Sequence, residues 1–474
     1  MGRRNETVEL PAVPVTGWGA KGRALARVDG KVIFITGAVP GDVADLRMTR
    51  NRRKHAEAIA TRIVEPSADR VEPFCAHFGV CGGCKWQDLD YGRQLEHKRQ
   101  EVIDVLQRIG GLDLPEVPPT LASPRTTHHR NKLEYTFGNS RWFTKEDLSE
   151  MGEITDRNAL GFHVPRRFDK VLEITECHLQ PDPSDAIRNF FREHARREGL
   201  TFYDPRAHEG FLRTLTIRTT TGGEVMVLLA VGHEDVEARE KLFDELLAAF
   251  PGINALLWAV NPKKNDTLWD LDIHVYHGND HVTELLPDGP GGRPLSFRIG
   301  PKTFYQTNPE QTLNMYRLVR DMAGLTGTEL VYDLYCGAGS ISLFVSAAAG
   351  KVVGAEIVPD AVADAWRNAE LNGITNVHFE AGDLRHLLDA DFVERNGRPE
   401  VIITDPPRAG MHEDVVQRIR EIAPRRIVYV SCDPATQARD LALLKDMYTV
   451  EEVRPLDMFP HSYHVENIVR LDRK

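Results

Sequence analysis

Strand-like and helix-like segments alternate regularly between residues 301 and 474. Apolar runs such as 329–334, 351–356 and 401–404 are each followed by a stretch of different character, either a helix-like segment or a loop of small residues and prolines. This alternation predicts a parallel sheet covered by helices on both faces, a Rossmann-like arrangement. Ligand and catalytic groups in such sheets collect at the carboxyl ends of the strands. We therefore expect the functional residues of this region where its strands end.

The rest of the chain predicts two further domains. With 474 residues, the chain is longer than one hydrophobic core normally organises. Residues 1–66 contain short strand-like runs and the hairpin signal Asp29-Gly30, and they predict a small β-barrel of the OB-like type. Residues 67–300 mix strands with a few helices and predict an α+β central domain. The whole is expected to be a multidomain α/β protein, with residues 301–474 as its C-terminal domain.

Charge and hydropathy restrict the cellular setting. The net charge of −11 argues against indiscriminate nucleic-acid binding, but it leaves room for a local basic surface. Residues 50–54 hold three arginines and a lysine, which form either a solvated face or a patch that contacts phosphates. The apolar runs are too short to span a membrane, and residues 1–6 lack the apolar core of a signal peptide. We expect a cytoplasmic protein without membrane contact.

Four cysteines form a candidate metal site. Cys75, Cys81 and Cys84 lie close together, and Cys177 follows 93 residues after Cys84. In a cytoplasmic protein such thiols are more often metal ligands or nucleophiles than disulfides. Four sulfurs fit both zinc and an iron–sulfur cluster, and the spacing does not choose between them.

A loop of small residues, Tyr335 to Ser340, follows the first strand of the C-terminal region. Gly337 and Gly339 would let a ligand approach the backbone closely at the start of the next helix. The loop reads D-L-Y-C-G-A-G and differs from the G-x-G-x-x-G of dinucleotide sites. The sequence therefore predicts a nucleoside ligand other than NAD.

Acidic residues around this loop indicate which nucleoside ligand binds there. Asp333, at the loop entrance, would repel a pyrophosphate but suits a cationic ligand. Glu356 ends the next strand and would accept hydrogen bonds from two ribose hydroxyls. Asp383 ends the strand after that, where an adenine is expected. S-adenosylmethionine (SAM), which has a sulfonium, an ammonium and a ribose but no phosphate, is favoured over NAD.

A second group of residues is a candidate for catalysis. The apolar run 427–430 predicts a buried strand that ends in Ser431 and a thiol, Cys432. A lone cysteine is commonly a small buried apolar residue, but this one stands where catalytic groups collect. The preceding strand ends in Asp405-Pro406-Pro407-Arg408. Methylases of exocyclic amines place an aromatic residue where Arg408 stands, which argues against an amine acceptor.

Together these motifs resemble the RNA uracil-5-methyltransferase family. The matches are F-Y-Q-T-N from Phe304, D-L-Y-C-G-A-G from Asp333, D-P-P-R-A-G from Asp405, S-C-D-P-A-T from Ser431 and H-V-E-N from His464. Residues 1–66 resemble the TRAM domain of that family, and the four cysteines resemble the ligands of the 4Fe–4S cluster in its 23S rRNA members. At Ser340 some relatives have asparagine, and either residue would give a polar contact to the SAM carboxylate.

The resemblance implies SAM-dependent methylation of C5 of a uridine in 23S rRNA, with tRNA as the alternative acceptor. Cys432 would add to C6 of the uracil and Glu466 would remove the C5 proton, with His461 and His464 as alternative bases. Asp405 would hold the uracil edge or the ligand. The implied SAM contacts are Gln306, Asp333, Tyr335, Gly337, Gly339, Ser340, Glu356, Asp383 and Asp405, and the implied cluster ligands are Cys75, Cys81, Cys84 and Cys177.

Two other classes of protein remain as alternatives. A non-catalytic RNA-binding protein that keeps the cluster would be expected to lack Cys432 or Glu466, and both are present. An NAD-dependent oxidoreductase would need a phosphate-binding G-x-G-x-x-G. We expect the enzyme to act as a monomer.

Overall fold

The computed structural model describes residues 8–150, 154 and 156–474, so the segment 1–6 considered above lies outside it. The described residues form sheets of six, eight and seven strands and a separate two-stranded hairpin. The predicted mixed α/β fold is confirmed. Within these residues, no helix combines the length and apolar character that crossing a lipid bilayer requires.

Six strands form the N-terminal sheet, in the order β1-β5-β6-β4-β3-β2. They are β1 (Glu9–Pro14), β2 (Gly17–Gly19), β3 (Arg23–Val28), β4 (Lys31–Thr36), β5 (Val43–Asn51) and β6 (His55–Glu65). The hairpin between β3 and β4 turns at Asp29 and Gly30, which both have positive φ. Such a turn matches the twist of the flanking strands, as the Asp-Gly signal predicted.

The predicted N-terminal β-barrel stays a prediction, because no strand ladder closes this sheet over the residues described. β1 and β2 are its two edges and do not pair with each other. Between them, the Val15 N–H donates to the Asp42 carbonyl (2.8 Å). The Thr16 N–H donates to the Leu25 carbonyl (2.9 Å). Residues 15 and 16 thus bond to the chain ahead of β5 and to β3, which stand on opposite sides of the sheet order.

The central region is built on a mixed eight-stranded sheet in the order β14-β13-β12-β11-β7-β9-β10-β8. Its elements are α1 (Tyr91–Arg108), β7 (Lys132–Gly138), β8 (Arg141–Trp142), α2 (Lys145–Glu150), β9 (Ala159–His163), β10 (Val171–Glu173), α3 (Ser184–Glu198), β11 (Leu212–Thr219), β12 (Val225–Val231), α4 (Val236–Ala249), β13 (Ile253–Val260) and β14 (His274–Gly278). A hairpin of β15 (Val282–Leu286) and β16 (Leu295–Ile299) follows.

The C-terminal region has the sheet order β19-β18-β17-β20-β21-β23-β22. Its elements are α5 (Pro309–Ala323), β17 (Leu330–Leu334), α6 (Ser340–Val345), β18 (Lys351–Glu356), α7 (Pro359–Leu371), β19 (Val377–Ala381), α8 (Leu384–Leu387), α9 (Ala390–Asn396), β20 (Val401–Thr404), α10 (Glu413–Ile422), β21 (Arg426–Ser431), α11 (Pro434–Ala442), β22 (Tyr448–Leu456) and β23 (Glu466–Arg473). The first five strands in this order are parallel, and β23 and β22 are antiparallel additions. The alternation of strands and helices predicted this parallel sheet.

Shared cores join the central and C-terminal regions. Val102 and Leu106 of α1 belong to the same apolar core as Tyr429 of β21. On the other face of the C-terminal sheet, Met226 and Leu257 of the central sheet share a core with Val428. The C-terminal sheet is therefore held on both faces by earlier parts of the chain. The domain boundaries at residues 66 and 300 stay a prediction.

Candidate active site

The candidate catalytic residues meet at one edge of the C-terminal sheet. Asp405 follows the last residue of β20, and Cys432 follows the last residue of the adjacent β21. In the β21–β23 ladder, Ser431 pairs with Asn467. Cys432 and Glu466 are the next residues beyond this pair, one on each strand. The sheet thus brings a thiol and two carboxyl groups together.

Burial makes both carboxyl groups unusually weak acids. Only 4% of Glu466 is exposed, and burial together with nearby Asp405 raises the pKa of its carboxyl to about 8, against a smaller lowering by Arg408. Burial and the neighbouring Asp333 raise the pKa of Asp405 to about 7. Each group can therefore hold or release a proton near neutral pH, which is the property of a general base.

Arg408 is the cation nearest the thiol, and the sequence did not assign it a role. Burial, and then the Glu466 carboxylate, raise the pKa of the half-buried Cys432 thiol to about 11. A hydrogen bond and the positive charge of Arg408 oppose this rise. Arg408 stands three residues after Asp405, in the same loop. That spacing is the signal that could have placed it at the site.

The two histidines considered as alternative bases have other surroundings. An Arg408 N–H donates to Nδ1 of His464 (2.6 Å). Burial, and then Arg408, lower the pKa of His464 to about 4. His461 is buried, and its Nδ1 lies 3.3 Å from Nε2 of Gln94. Burial also lowers the pKa of His461.

The loop after β17 presents its backbone to open space. Tyr335, Gly337 and Gly339 all have positive φ, at 64°, 53° and 79°. A Cβ on Gly337 would meet no atom within 4 Å, so a ligand can approach the chain there. A Cβ on Gly339 would lie 3.0 Å from the Phe379 ring, so glycine is needed for close packing.

Two acidic residues beside this loop fit the cation and the ribose of SAM. Oδ2 of Asp333 accepts a hydrogen bond from the Ser342 hydroxyl, whereas its buried Oδ1 has no partner among the described residues. Burial, and less strongly Glu356, raise the pKa of Asp333 to about 7. A cationic ligand would offset that cost. Glu356 accepts from the amides of Gly337 (3.2 Å) and Val358 (2.9 Å), which fixes its carboxylate at the mouth of the loop.

Three other residues expected to contact SAM, Ser340, Asp383 and Gln306, form polar contacts within the protein, Gln306 through its backbone carbonyl. The Ser340 hydroxyl lies 2.7 Å from the Tyr316 hydroxyl. Asp383 caps α8 and pairs with Arg385, which holds the pKa of that carboxyl well below its usual range, at about 2. Gln306 is half-buried, and its carbonyl accepts from the side chain of Asn131 (3.1 Å). Their roles in binding SAM stay predictions.

The four cysteines line one cavity of about 350 Å³ next to Arg130. Burial raises the pKa of all four thiols, that of Cys84 to about 11 and that of Cys177 to about 12. Among the described residues, no three His, Cys, Asp or Glu side chains converge as ligands of a single ion. Arg130 faces Cys84 and Cys177, and its buried Nε has no partner among the described residues. The cavity and its cation thus suit an anionic group larger than one ion.

Residues 457–465 lead to Glu466 and are here called the catalytic loop. The segment after Cys84 forms hydrogen bonds to this loop. The amides of Lys85 and Trp86 both donate to the His461 carbonyl, at 2.7 and 3.1 Å. Nζ of Lys98 donates to Asp457 (2.6 Å) and to the Phe459 carbonyl (3.2 Å). The Lys98 and Asp457 side chains are fully buried. The segment next to the cysteine cavity therefore contacts the catalytic loop directly.

Comparison with known proteins agrees with this geometry. Residues 272–474 match the family model described as tRNA (Uracil-5-)-methyltransferase. A protein of Bacteroides thetaiotaomicron described as an uncharacterized RNA methyltransferase is 50% identical, over 96% of this chain and 99% of its own. A protein of Porphyromonas gingivalis with the same description is 49% identical, over 97% and 99%. The crystal structure of Pyrococcus abyssi tRNA (uracil-54, C5)-methyltransferase with S-adenosyl-L-homocysteine is 27% identical and superimposes with a TM-score of 0.74, over 98% of this chain and 100% of that one.

Proposed function

Because the chain belongs to the RNA uracil-5-methyltransferase family, we propose that it methylates C5 of a uridine in 23S rRNA, giving 5-methyluridine. The observation that carries the proposal is the placement of Cys432 and Glu466 just beyond the Ser431–Asn467 pair, with Arg408 at the thiol. Uracil C5 is a poor nucleophile by itself. A site that adds a thiolate at C6 and removes a proton at C5 matches this acceptor.

Cys432 begins the reaction by bonding to C6 of the flipped-out uracil. The thiolate is the reactive form, and the positive charge of Arg408 favours it against the burial that raises the thiol pKa. Addition at C6 converts C4–C5 of the base into an enolate, so C5 can bond to an electrophilic carbon. Asp405, which lies near Glu466, would hold the polar edge of the uracil.

Glu466 ends the reaction by taking the proton from C5. The C6–S bond then breaks, the C5–C6 double bond re-forms, and Cys432 is released as thiolate. A carboxyl group whose pKa is raised to about 8 is a stronger base than an ordinary glutamate. His464 is a weaker candidate, because Arg408 donates to its ring nitrogen and its pKa is lowered to about 4.

The residues around the loop after β17 would hold SAM, which supplies an electrophilic methyl group when bound. Oδ1 of Asp333, which has no partner among the described residues, suits the ammonium, and Glu356 suits the ribose hydroxyls. Gly337 leaves room for the ligand beside the backbone. We also propose the contacts from Gln306, Tyr335, Ser340 and Asp383 that the family resemblance implies.

We propose a 4Fe–4S cluster as the group in the cysteine cavity. The cavity of about 350 Å³ supports a cluster over a zinc ion, because one ion bonded to four sulfurs at ~2.3 Å would draw the thiols together. Arg130 would partly balance the negative charge of a thiolate-bound cluster. Bound there, the cluster would cross-link the segment 75–84 to Cys177.

A tRNA uridine is the second candidate acceptor. It is supported by the likeness to the Pyrococcus abyssi enzyme, which extends over nearly the whole chain. The four-cysteine set supports rRNA, as in the family members that the sequence resembles.

Purified protein given tritiated-methyl SAM and undermodified total RNA decides between these acceptors. The RNA is separated by size and digested for nucleoside analysis. Label in 5-methyluridine from the large rRNA is the expected result. Label in tRNA would keep the chemistry and replace the acceptor, and label in another nucleoside would overturn the proposed chemistry.

A further inference from the structure

An aromatic side chain projects into solvent between arginines on the loop that joins β9 and β10, residues 164–170. Phe168 is 67% exposed, although large apolar side chains normally pack inside a protein. The side chain of Arg166 is 81% exposed, and Arg167 is exposed as well. The guanidinium of Arg206 lies 5.7 Å from the centre of the Phe168 ring. The three arginines and Phe168 together form a basic platform with a flat apolar centre. Arg206 joins it from a neighbouring segment, and the other three side chains belong to the 164–170 loop.

The backbone of this loop is held in place by its own hydrogen bonds. The Val164 N–H donates to the Lys170 carbonyl (3.0 Å), and the Arg167 N–H donates to the Val164 carbonyl (3.0 Å). Arg206 forms two hydrogen bonds to Asp169, at 2.7 and 3.1 Å, which orient it over the ring. Arg166 has a φ of 66°, a conformation that arginine seldom adopts. The exposure of Phe168 is therefore a feature of an ordered loop.

The platform continues into the outer face of the N-terminal sheet. Glu57 of β6 lies between two arginines, 4.0 Å from Arg166 and 3.7 Å from Arg23. Arg23 stacks on the ring of Phe34 at 4.4 Å. Glu57 also pairs with Arg50 in the strand ladder, at the start of the basic run 50–54. This run is exposed, so positive charge and aromatic rings extend across both regions.

The N-terminal region also contacts the catalytic loop. Gly22, next to Arg23, packs so closely on Tyr463 that it has no room for a side chain. The rings of Tyr463 and His464 lie 4.1 Å apart, and His464 accepts a hydrogen bond from Arg408 at the thiol. Contacts thus connect the Cys432 site to the N-terminal sheet, and that sheet in turn contacts the 164–170 loop through Glu57 and Arg166.

We propose that the 164–170 loop is a binding site for single-stranded RNA, with one base stacked on Phe168 and the neighbouring phosphates paired with Arg166, Arg167 and Arg206. Stacking on aromatic rings and arginine–phosphate pairing are the two interactions by which proteins hold unpaired RNA. The site would bind a part of the RNA substrate that lies at a distance from the target uridine. This inference rests on the proposed function, because it takes the substrate to be RNA.

The test compares full-length Phe168→Ala with full-length Leu371→Ala, which removes a 55% exposed side chain on α7 beside the opposite edge of the C-terminal sheet. The ligand is whichever undermodified RNA fraction the wild-type protein methylates. Loss of one stacked base weakens binding by about 5-fold to 150-fold. We expect Phe168→Ala to lose affinity in this range, Phe168→Tyr to retain it, and Leu371→Ala to bind as wild type does.

Two further measurements separate RNA binding by this loop from a structural effect. Arg166→Ala with Arg167→Ala should lower the slope of log Kd against log salt by about 0.7 for each phosphate that is no longer paired with an arginine. Phe168→Ala should raise KM for RNA and leave kcat at saturating RNA unchanged. Wild-type affinity and salt slope in these variants would overturn the inference. If the wild-type protein itself binds and methylates no RNA, the proposed function fails instead.

Discussion

The catalytic edge and the cysteine cavity both depend on thiols, but the chain assembles them differently. At the catalytic edge, Cys432 and Asp405 lie at the ends of adjacent strands, so the sheet itself sets their separation. The cavity takes its thiols from a loop before α1 and from a turn beyond β10. Sheet ladders hold the first site, whereas the second is lined by four thiols whose pKa burial raises. An edge set by strand pairing fixes the positions of catalytic groups. A cavity lined by loops suits a bound group that links those loops.

The largest effect should follow from removing the thiol at the catalytic edge. Cys432→Ala deletes the group that bonds to uracil C6, so methyl transfer should fall by at least ~10³-fold. Binding of SAM, measured by calorimetry, should stay unchanged because the loop after β17 is intact. A methylation rate near that of the wild-type protein would exclude Cys432 from the mechanism.

Removing the base should stop the reaction at a later point. Glu466→Gln can still form the bond between Cys432 and C6, but it cannot take the C5 proton, so turnover should fall by about 10² to 10⁴. The protein should then run as a covalent RNA adduct on a denaturing gel. Exposed Glu413, on α10, provides the matched control Glu413→Gln, which should turn over normally. Free product released by Glu466→Gln at the normal rate would assign the proton to another base.

A buried ion pair, Lys98–Asp457, joins α1 to the catalytic loop, and a substitution can break it. Lys98→Met leaves the Asp457 carboxylate unpaired in the interior, which costs about 3–5 kcal/mol of unfolding free energy. Denaturant unfolding measures this loss, and Lys445→Met, at an exposed site, should change little. Replacing both partners, Lys98→Met with Asp457→Asn, should recover part of the stability, because the amide carries no buried charge and keeps an oxygen that can accept from the Phe459 N–H. Equal losses in the single and double variants would show that the pair does not act as a unit.

The cavity can be tested by removing the thiol that comes from the distant turn. Cys177→Ser should abolish or reduce bound iron and acid-labile sulfide in anaerobically purified protein. Because Lys85 and Trp86 bond to His461, it should also lower RNA affinity or turnover, by about tenfold if one charged or stacking interaction with the RNA is removed. Zinc at one equivalent in place of iron would refute the cluster. Unchanged affinity and turnover after loss of iron would show that the cavity and the catalytic edge act independently.

The smallest effect concerns the pH dependence of the last step. Since the pKa of Glu466 is raised to about 8, the carboxyl is mostly protonated at pH 7 and mostly ionised at pH 9. Release of product from a preformed covalent adduct should therefore rise by about tenfold across this interval. Using the preformed adduct removes the titration of the Cys432 thiol from the measurement. A release rate that falls as the pH rises would contradict Glu466 as the base.

Much of the C-terminal region could be predicted from the sequence because its signals are local. The strands of the parallel sheet are apolar runs, and the strand ends fix where Asp333, Asp405 and Cys432 must meet. The strand order of the N-terminal sheet could not be predicted, since it depends on which strands pair, and β4 pairs in parallel with β6 although β5 comes first in the chain. Strand-like runs and a hairpin signal are the same in an open and a closed sheet.

Side chains paired over long distances in sequence were also missed. Lys98 and Asp457 are separated by 359 residues, and a lysine in an amphipathic helix is normally exposed. The buried face of α1 includes Gln94 and Lys98 beside Val102 and Leu106. These two polar residues form hydrogen bonds to the catalytic loop, so they are buried to position that loop and not to fill the apolar core.

The most direct test of the covalent mechanism uses RNA in which 5-fluorouridine replaces uridine. Fluorine at C5 cannot be removed as a proton, so Cys432 should remain bonded to C6 after methyl transfer. Digestion and mass spectrometry should find the peptide containing Cys432 joined to a 5-fluoro-5-methyl uridine residue, with one equivalent of SAM consumed. If ordinary RNA is converted to 5-methyluridine while fluorinated RNA gives no adduct at Cys432, the covalent mechanism is contradicted.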